Sequence, residues 1–334
     1  MRRVKVVVLR AHNNIDEAVQ KALKAADWSK HIRGRVFIKP NICSCEFISG
    51  AVTNPELLFY LVSFLRDKVT EVIVGESNGY NYNCDDALQR TGIEEAVKKA
   101  GGVIVNLSKD EIVRVEDPYV RKLRKVPLPK TLLEIDSLVS VPVMKTHEFT
   151  LYGGAIKNLF GCIPDNRRIF LHPHIGEVFQ DLITILKPKF ALMDATTAME
   201  GNGPNRGIAV PMNLVLASSD LLALDKVTTQ IMGIDWRQVS HLRQLDKYLQ
   251  TGLEPQIIGE DIDSVKRPFL MPYADLAVKA QRWVFKYTLL TRLCFGTPLF
   301  NALQVGMKGF RAVNDSIRGK AWVRKYWQDS SKPS

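Results

Sequence analysis

Apolar residues over the first 260 or so positions follow two rhythms. Short runs rich in valine and isoleucine alternate with longer stretches in which apolar residues recur every three or four positions. Val4–Leu9 predicts a strand and Ile15–Ala26 a helix; Arg35–Ile38 predicts the next strand, ending in Lys39-Pro40-Asn41. Thr53-Asn54-Pro55-Glu56 combines a cap residue, a proline at the first helical position and an acid in the first turn, which predicts a helix through Phe64. Glu71–Val74 predicts a strand running into Gly75-Glu76-Ser77, Asp85–Ala100 a helix and Gly102–Val105 a strand, followed by a less regular stretch closed by Pro127 and Pro129. Ser137–Val143 predicts a strand leading into Met144-Lys145-Thr146-His147, and Ala155–Phe160 a short helix stopped by Gly161. Phe190–Met193 predicts a strand ending at Asp194, Asn213–Ala217 another, and Leu221–Met232 a helix with Asp220 placed to cap it. Strands alternating with helices imply an α/β fold built on a doubly wound, mostly parallel sheet.

After Gly259 the strand pattern stops. Residues 273–326 are helical in pattern, with Trp283, Phe285, Tyr287, Phe295, Phe300, Phe310, Trp322, Tyr326 and Trp327 set among lysines and arginines. The expected organisation is a body at 1–260, of one lobe or two, and a basic, aromatic-rich helical segment at 261–334, with the boundary near Asp261. Charge sharpens this division. The 334-residue chain carries a net +11, yet Lys266–Ser334 holds thirteen Lys and Arg against Asp275, Asp315 and Asp329, a net +10, which leaves +1 for everything before it. Basic helices with interleaved aromatics suit an anionic membrane surface through residues 266–327; nucleic acid is a less favoured partner, and packing over the body is the structural alternative.

A hydrophobic content of 46% and a charged content of 24% suit a globular chain rather than a disordered one. The run Val6–Leu9 is too short for the apolar core of a signal peptide, and every longer apolar stretch is interrupted before the roughly 18 residues that a membrane span requires. Cys43, Cys45, Cys84, Cys162 and Cys294 lack paired C-x-x-C spacing, so the expectation is a reducing, cytoplasmic setting, on the membrane's inner face if the tail binds there, with no iron–sulfur cluster. Cys43 and Cys45 read as two ordinary thiols rather than a metal or redox pair.

In open parallel sheets ligands bind beyond the carboxyl ends of the strands, which gives weight to Lys39, Asn41, Glu76, Ser77, the segment Lys145 to His147, Asp194, and the loop Met199-Glu200-Gly201-Asn202-Gly203-Pro204. The densest cluster adds Gly153 and Gly154 before a short helix bearing Lys157 and Asn158. Two glycines allow backbone amides to approach a phosphate or carboxylate, with Lys145 or Lys157 as counter-ion, although the same glycines also suit a tight turn. His147, His172 and His174 are three of the six histidines and fall close together, as candidates for acid/base work, for a divalent metal at His172 and His174, or for structural roles. His172-Pro173-His174 reads as extended, with the two rings on opposite sides and one of them facing any shared site. Asp194 and Glu200 are candidate bases or cation ligands. Asp225, among apolar residues, needs a partner if buried.

Six of these segments, Ile38-Lys39-Pro40-Asn41, Thr53-Asn54-Pro55, Gly75-Glu76-Ser77, Val141 to His147, Gly154 to Gly161 and Met199 to Pro204, resemble in order and spacing the DUF362 family over residues 35–235. The resemblance implies no general activity. Some relatives carry a cysteine-rich ferredoxin-like module, whose cysteines this chain lacks. A fainter similarity, through Gly153-Gly154, Lys157, Gly161 and His172 or His174, is to the nickel-pincer lactate racemase family; it implies a related fold and site location rather than nickel or racemisation. The functional expectation is an enzyme acting on a small anionic or lipid-borne substrate. Lys145, Lys157, Thr146, Asn202 and Gly203 would be among its binding residues, and His147, His172, His174, Asp194 and Glu200 would be its catalytic candidates. The competing expectation is a non-catalytic anion- or cofactor-binding or assembly protein at a membrane surface.

Overall fold

The computed structural model describes residues 3–12, 14–80, 82–120, 122–123, 127–250, 252, 254–273, 279–280 and 283–295. Its strands are β1 (Arg3–Arg10), β2 (Arg35–Pro40), β3 (Glu71–Glu76), β4 (Val103–Asn106), β5 (Ile112–Arg114), β6 (Pro127–Pro129), β7 (Ser137–Val141), β8 (Val143–His147), β9 (Leu151–Tyr152), β10 (Phe190–Glu200), β11 (Ile208–Val210), β12 (Leu214–Ser218) and β13 (Glu254–Gly259). The main sheet runs in the order β13-β1-β12-β10-β7-β2-β3-β4, with β11 and β8 on β10 and β9 on β8; β5 and β6 form a separate ribbon. Along the main order, β12 alone pairs antiparallel with its neighbours; the other pairings are parallel.

Helices cover both faces because neighbouring strand residues point to opposite sides. Val7, Val36, Ile38, Val72 and Val74 pack with α1 (Ile15–Ala25), α2 (Pro55–Leu65), α3 (Cys84–Arg90) and α4 (Ile93–Lys99). Val6, Val8, Phe37, Ile73 and Leu138 pack on the other face with α5 (Lys130–Leu133), α6 (Gly154–Asn158), α7 (Ile175–Leu186), α8 (Leu221–Ile231) and α9 (Ser240–Leu249). The chain is thus doubly wound, as its alternating pattern predicts. The expected caps are present: Asn54 accepts from Glu56 N–H at 2.9 Å and Asp220 from Ala223 N–H at 2.7 Å.

Several elements differ from their expected bounds for local reasons. Pro142 has no N–H to give the sheet, so the predicted strand at 137–143 breaks there, and Lys145, Thr146 and His147 lie on β8 instead of following a strand. β10 does not stop at Asp194; it continues to Glu200 with a shift of register against β8, and the loop begins at Gly201. Gly92, at φ +79, divides the helix predicted over 85–100 into α3 and α4. His172-Pro173-His174 is not extended but ends a nine-residue 3-10 segment, Asn166–His174. β13 has no counterpart among the predicted strands; it is an edge strand held parallel to β1.

Residues Met1–Tyr273 form one compact unit, in which Phe269 N–H bonds Met232 O at 2.9 Å and Gly201 N–H bonds Leu270 O at 2.8 Å. Ala274–Ser334 form a second, whose described part includes a helix at Thr288–Phe295 and an edge-on contact of Trp283 with Tyr287. Phe300, Phe310, Trp322, Tyr326 and Trp327 of the expected basic helical segment lie outside the described residues. Among the described residues no helix is long and apolar enough to cross a membrane.

Candidate functional site

From β2 the chain moves outward through β3 to β4, and later returns on the other side of β2 as β7 and β10. The carboxyl ends of β2, β3 and β7 therefore surround a point where the winding direction reverses, the place where a crevice opens in such sheets. Lys39, at the end of β2, is fully buried. Its ammonium pairs with Glu76 at the end of β3 and also donates to Pro40 O at 2.6 Å. Glu76 accepts a second bond from Ser77 N–H at 2.9 Å, and Asn158 Nδ2 donates to Lys39 O at 2.8 Å. Gly161 lies against this ion pair, where a methyl group would overlap both side chains.

Beyond the pair is a cavity of about 200 Å³, lined by Asn41, Ile42, Cys43, Glu76, Gly79, Tyr80, Tyr82, Lys145, His147, Gly153, Gly154, Lys157, Asn158, Phe160, Gly161, Arg168 and Pro204. Three cations face it. Lys145 Nζ donates to Ala51 O at 2.8 Å and lies 3.5 Å from Cys43 Sγ. Arg168 Nη1 donates to Ser77 Oγ at 2.6 Å and to Ile163 O at 2.8 Å. Among the described residues the Lys157 ammonium makes no hydrogen bond or ion pair. Burial, followed by repulsion from Lys145, lowers its ammonium to about 7. Burial also lowers Lys145. His147 is held well below the usual histidine range, by burial first and then by Lys157 and Lys145. Its Nδ1 accepts from Phe149 N–H at 3.1 Å, which assigns the neutral tautomer with the proton on Nε2.

The glycine pair does not present an open helix end to an anion. Asp225 of α8 already occupies the amino end of α6, accepting from Ala155 N–H at 2.7 Å, Ile156 N–H at 3.0 Å and Tyr152 Oη–H at 2.9 Å. This is the partner that a buried carboxylate at 225 required. Gly154, at φ +87, has a reason to be glycine: a side chain would meet Tyr152 and Asp225. Gly153 packs against the Lys145 stem, where a Cβ would lie 3.2 Å from Lys145 Cγ.

Of the residues the sequence singles out, the cavity gathers Asn41, Glu76, Lys145, His147, Gly153, Gly154, Lys157, Asn158, Gly161 and Pro204. The others take up positions outside its lining. Lys39 is held in the ion pair, and Ser77 lies within hydrogen-bonding distance of Gly161 O and Arg168. Thr146 Oγ1 donates to Gly201 O at 2.8 Å, and Gly203 O accepts from Glu148 N–H at 2.8 Å. Asn202 is buried, its Oδ1 without a partner among the described residues. Asp194 accepts from Asn54 N–H at 2.8 Å and Thr196 Oγ1–H at 2.7 Å, tying β10 to the start of α2. Glu200 bonds Arg267 at 3.3 Å and Leu270 N–H at 3.1 Å.

His172 packs edge-on against Phe160, ring centres 5.3 Å apart, with Nδ1 2.9 Å from Ile169 O; burial lowers it to about 4. His174 lies 3.9 Å from Glu177. Neither ring lines the cavity, and the backbone between them is a 3-10 segment rather than the expected extended chain. Among the described residues no three His, Cys, Asp or Glu side chains converge as metal ligands. Tyr80, Tyr82 and Arg168 are lining residues that the sequence reading passes over, and Cys43, read there as an ordinary thiol, lies in the lining with them. Tyr80 and Tyr82 follow the Gly75-Glu76-Ser77 strand end, and their position past β3 was the available signal; Arg168 lies on an irregular segment with no such marker.

A profile of the family described as "Domain of unknown function (DUF362)" matches residues 36–230. The thylakoid-associated protein sll1697 of Synechocystis sp. (strain ATCC 27184 / PCC 6803 / Kazusa) is 24% identical over 209 residues, covering 60% of this chain and 64% of that protein, slightly under two thirds of its length. The lactate racemase apoprotein from Thermoanaerobacterium thermosaccharolyticum aligns with 84% of this chain and 89% of its own, at a TM-score of 0.40 and 11% identity. With the profile spanning more than half of its length, the chain belongs to the DUF362 family, a family of unknown function.

Proposed function

We propose that the cavity at the β2/β7 reversal binds a small anionic molecule, free or carried on a lipid, and that the protein acts on it as an enzyme. The observation that supports this reading is a charge imbalance. Lys145, Lys157 and Arg168 face one cavity, whose lining carboxylate, Glu76, is already neutralised by Lys39. Three buried or half-buried cations with no counter-charge among the described residues repel one another, and an anion in their midst removes that cost. The volume of about 200 Å³ is below the roughly 300–1,000 Å³ of drug-sized sites, which suits a compact ligand. His147 fits the role of a neutral hydrogen-bond donor through Nε2–H better than that of a base, because it is held neutral and its Nδ1 is engaged. The test is calorimetric titration of the full chain with inorganic phosphate and with oxalate. Binding by the native protein that is lost in Lys157→Ala and Arg168→Gln agrees with the reading; equal affinity in all three proteins refutes it.

A second proposal concerns location. The net +10 of residues 266–334, together with a relative named as thylakoid-associated, favours attachment to an anionic membrane surface. Full-length protein should float with vesicles containing anionic lipid and be released by salt. Equal flotation with purely neutral vesicles would sink the electrostatic reading.

A further inference from the structure

We propose that Lys157 is a covalent amine, forming an imine with the carbonyl group of a substrate that also carries a carboxylate or phosphate. The inference rests on the anion-binding reading and gives the three cations different tasks. Lys145 is fixed by Ala51 O and lies 3.4 Å from Pro204 O, and Arg168 is fixed by Ser77 and Ile163 O, so both are positioned as stationary counter-charges. Lys157 has no such tether among the described residues and is half-buried at the cavity wall. A lysine whose purpose is charge is normally held by a carboxylate or by carbonyls, as Lys39 is by Glu76 and Pro40 O. Lys157 is spared both. Its surroundings also favour the neutral, nucleophilic form: burial and the neighbouring cations bring it to about 7, where a large share of the amine is unprotonated at neutral pH.

The reaction balances without any redox partner. The Nζ lone pair attacks the carbonyl carbon, forming a C–N bond while the C=O π pair moves to oxygen. A proton passes from nitrogen to that oxygen; the hydroxyl takes a second proton from solvent and leaves as water, giving an iminium ion that returns one proton to solvent to become the imine. Nε2–H of His147 is the donor placed to stabilise the oxygen as charge develops on it. Lys145 and Arg168 hold the carboxylate or phosphate and so keep the carbonyl beside the amine.

The experiment uses the full chain with glyoxylate, a small anionic aldehyde, and cyanoborohydride, which reduces an imine to a stable secondary amine. Peptide mapping then reads which lysine carries a carboxymethyl group. The expected result at neutral pH is modification of Lys157 about 100-fold faster than that of exposed lysines such as Lys21, slowed by added phosphate. Lys157→Arg should retain phosphate binding and lose the selective label. Labelling of Lys157 no faster than that of exposed lysines, with phosphate binding intact, overturns the covalent role and leaves the anion site standing. Loss of both selective labelling and phosphate binding in the native chain overturns the two together.

Discussion

Replacing Glu76 by glutamine isolates the buried ion pair on which the cavity is built. Lys39 and Glu76 are 0% and 2% exposed, and the pair is pressed between the ends of β2 and β3 on one side and Gly161 on the other. Glutamine keeps the shape and removes the charge, leaving the Lys39 ammonium buried with Pro40 O as its remaining partner among the described residues. Breaking such a pair by removing one member costs about 3–5 kcal/mol, mostly the penalty of an uncompensated buried charge. At about 2.1 cal/mol/K per residue, a cooperative unit of 273 residues has an unfolding entropy of roughly 0.6 kcal/mol/K, so the expected fall in Tm is about 5–9 °C. The double variant Lys39→Met with Glu76→Leu should recover most of that loss, because well-packed apolar groups replace a buried pair at little net cost. Scanning calorimetry of native protein and the two variants is the assay, with agreement of calorimetric and van't Hoff enthalpies as the check on two-state unfolding. A Glu76→Gln protein melting within 1 °C or so of native, or a double variant no more stable than Glu76→Gln, would refute the claim that an isolated buried charge is the source of the loss.

Gly154→Ala should destabilise by about 3 kcal/mol or more, since the methyl group would meet Asp225 and Tyr152 at a φ of +87; thermal melts of this variant beside Gly252→Ala, which has open space around it, check this. Asp225 is pushed up to about 7 by burial, so the folded chain holds its proton more tightly than the unfolded one. Its contribution is therefore full below about pH 4 and lost as pH rises through about 7, and urea titrations across that window should show a falling slope that flattens in Asp225→Asn. Phosphate binding should weaken as pH rises above about 7, because Lys157 must carry a proton to act as counter-ion, whereas Lys157→Arg should hold its affinity to higher pH; titration at three pH values decides.

The position of the site was legible in the sequence because a parallel sheet sends all its carboxyl ends to one edge. Short polar motifs after β2 and β3 had to be neighbours once those segments were recognised as parallel strands. The roles within the site were not legible, since they depend on partners far along the chain. Lys39 and Glu76 each look like a free binding residue until the pairing of Ile38 with Val74 brings them side by side. The Gly153-Gly154 pair looks like an anion cradle until Asp225, some seventy residues on, is found in it. Asp194 and Glu200 look like catalytic acids while β10 is thought to stop at its fifth residue; on a strand that runs to Glu200 they become anchors for Asn54 and Leu270. Arg168 has neither strand end nor helix period to mark it, and only the folding back of the 3-10 segment brings it to Ser77.

Three of the residues reassigned in this way, Glu76, Asp194 and Glu200, are carboxylates, and that makes the remaining imbalance informative. Glu76, Asp194, Glu200 and Asp225 are each satisfied from within the protein, by an ammonium, a guanidinium, a hydroxyl or backbone N–H groups. A fold that satisfies these buried carboxylates, and pairs Lys39 as well, still leaves Lys145, Lys157 and Arg168 facing one small cavity with no unpaired carboxylate among its described lining residues. Stability alone does not favour that arrangement, because mutual repulsion and desolvation both work against it. Departures of this kind, set against consistency elsewhere, are where function is expected to override folding. The chemistry that removes the penalty is a negative charge supplied from outside the chain.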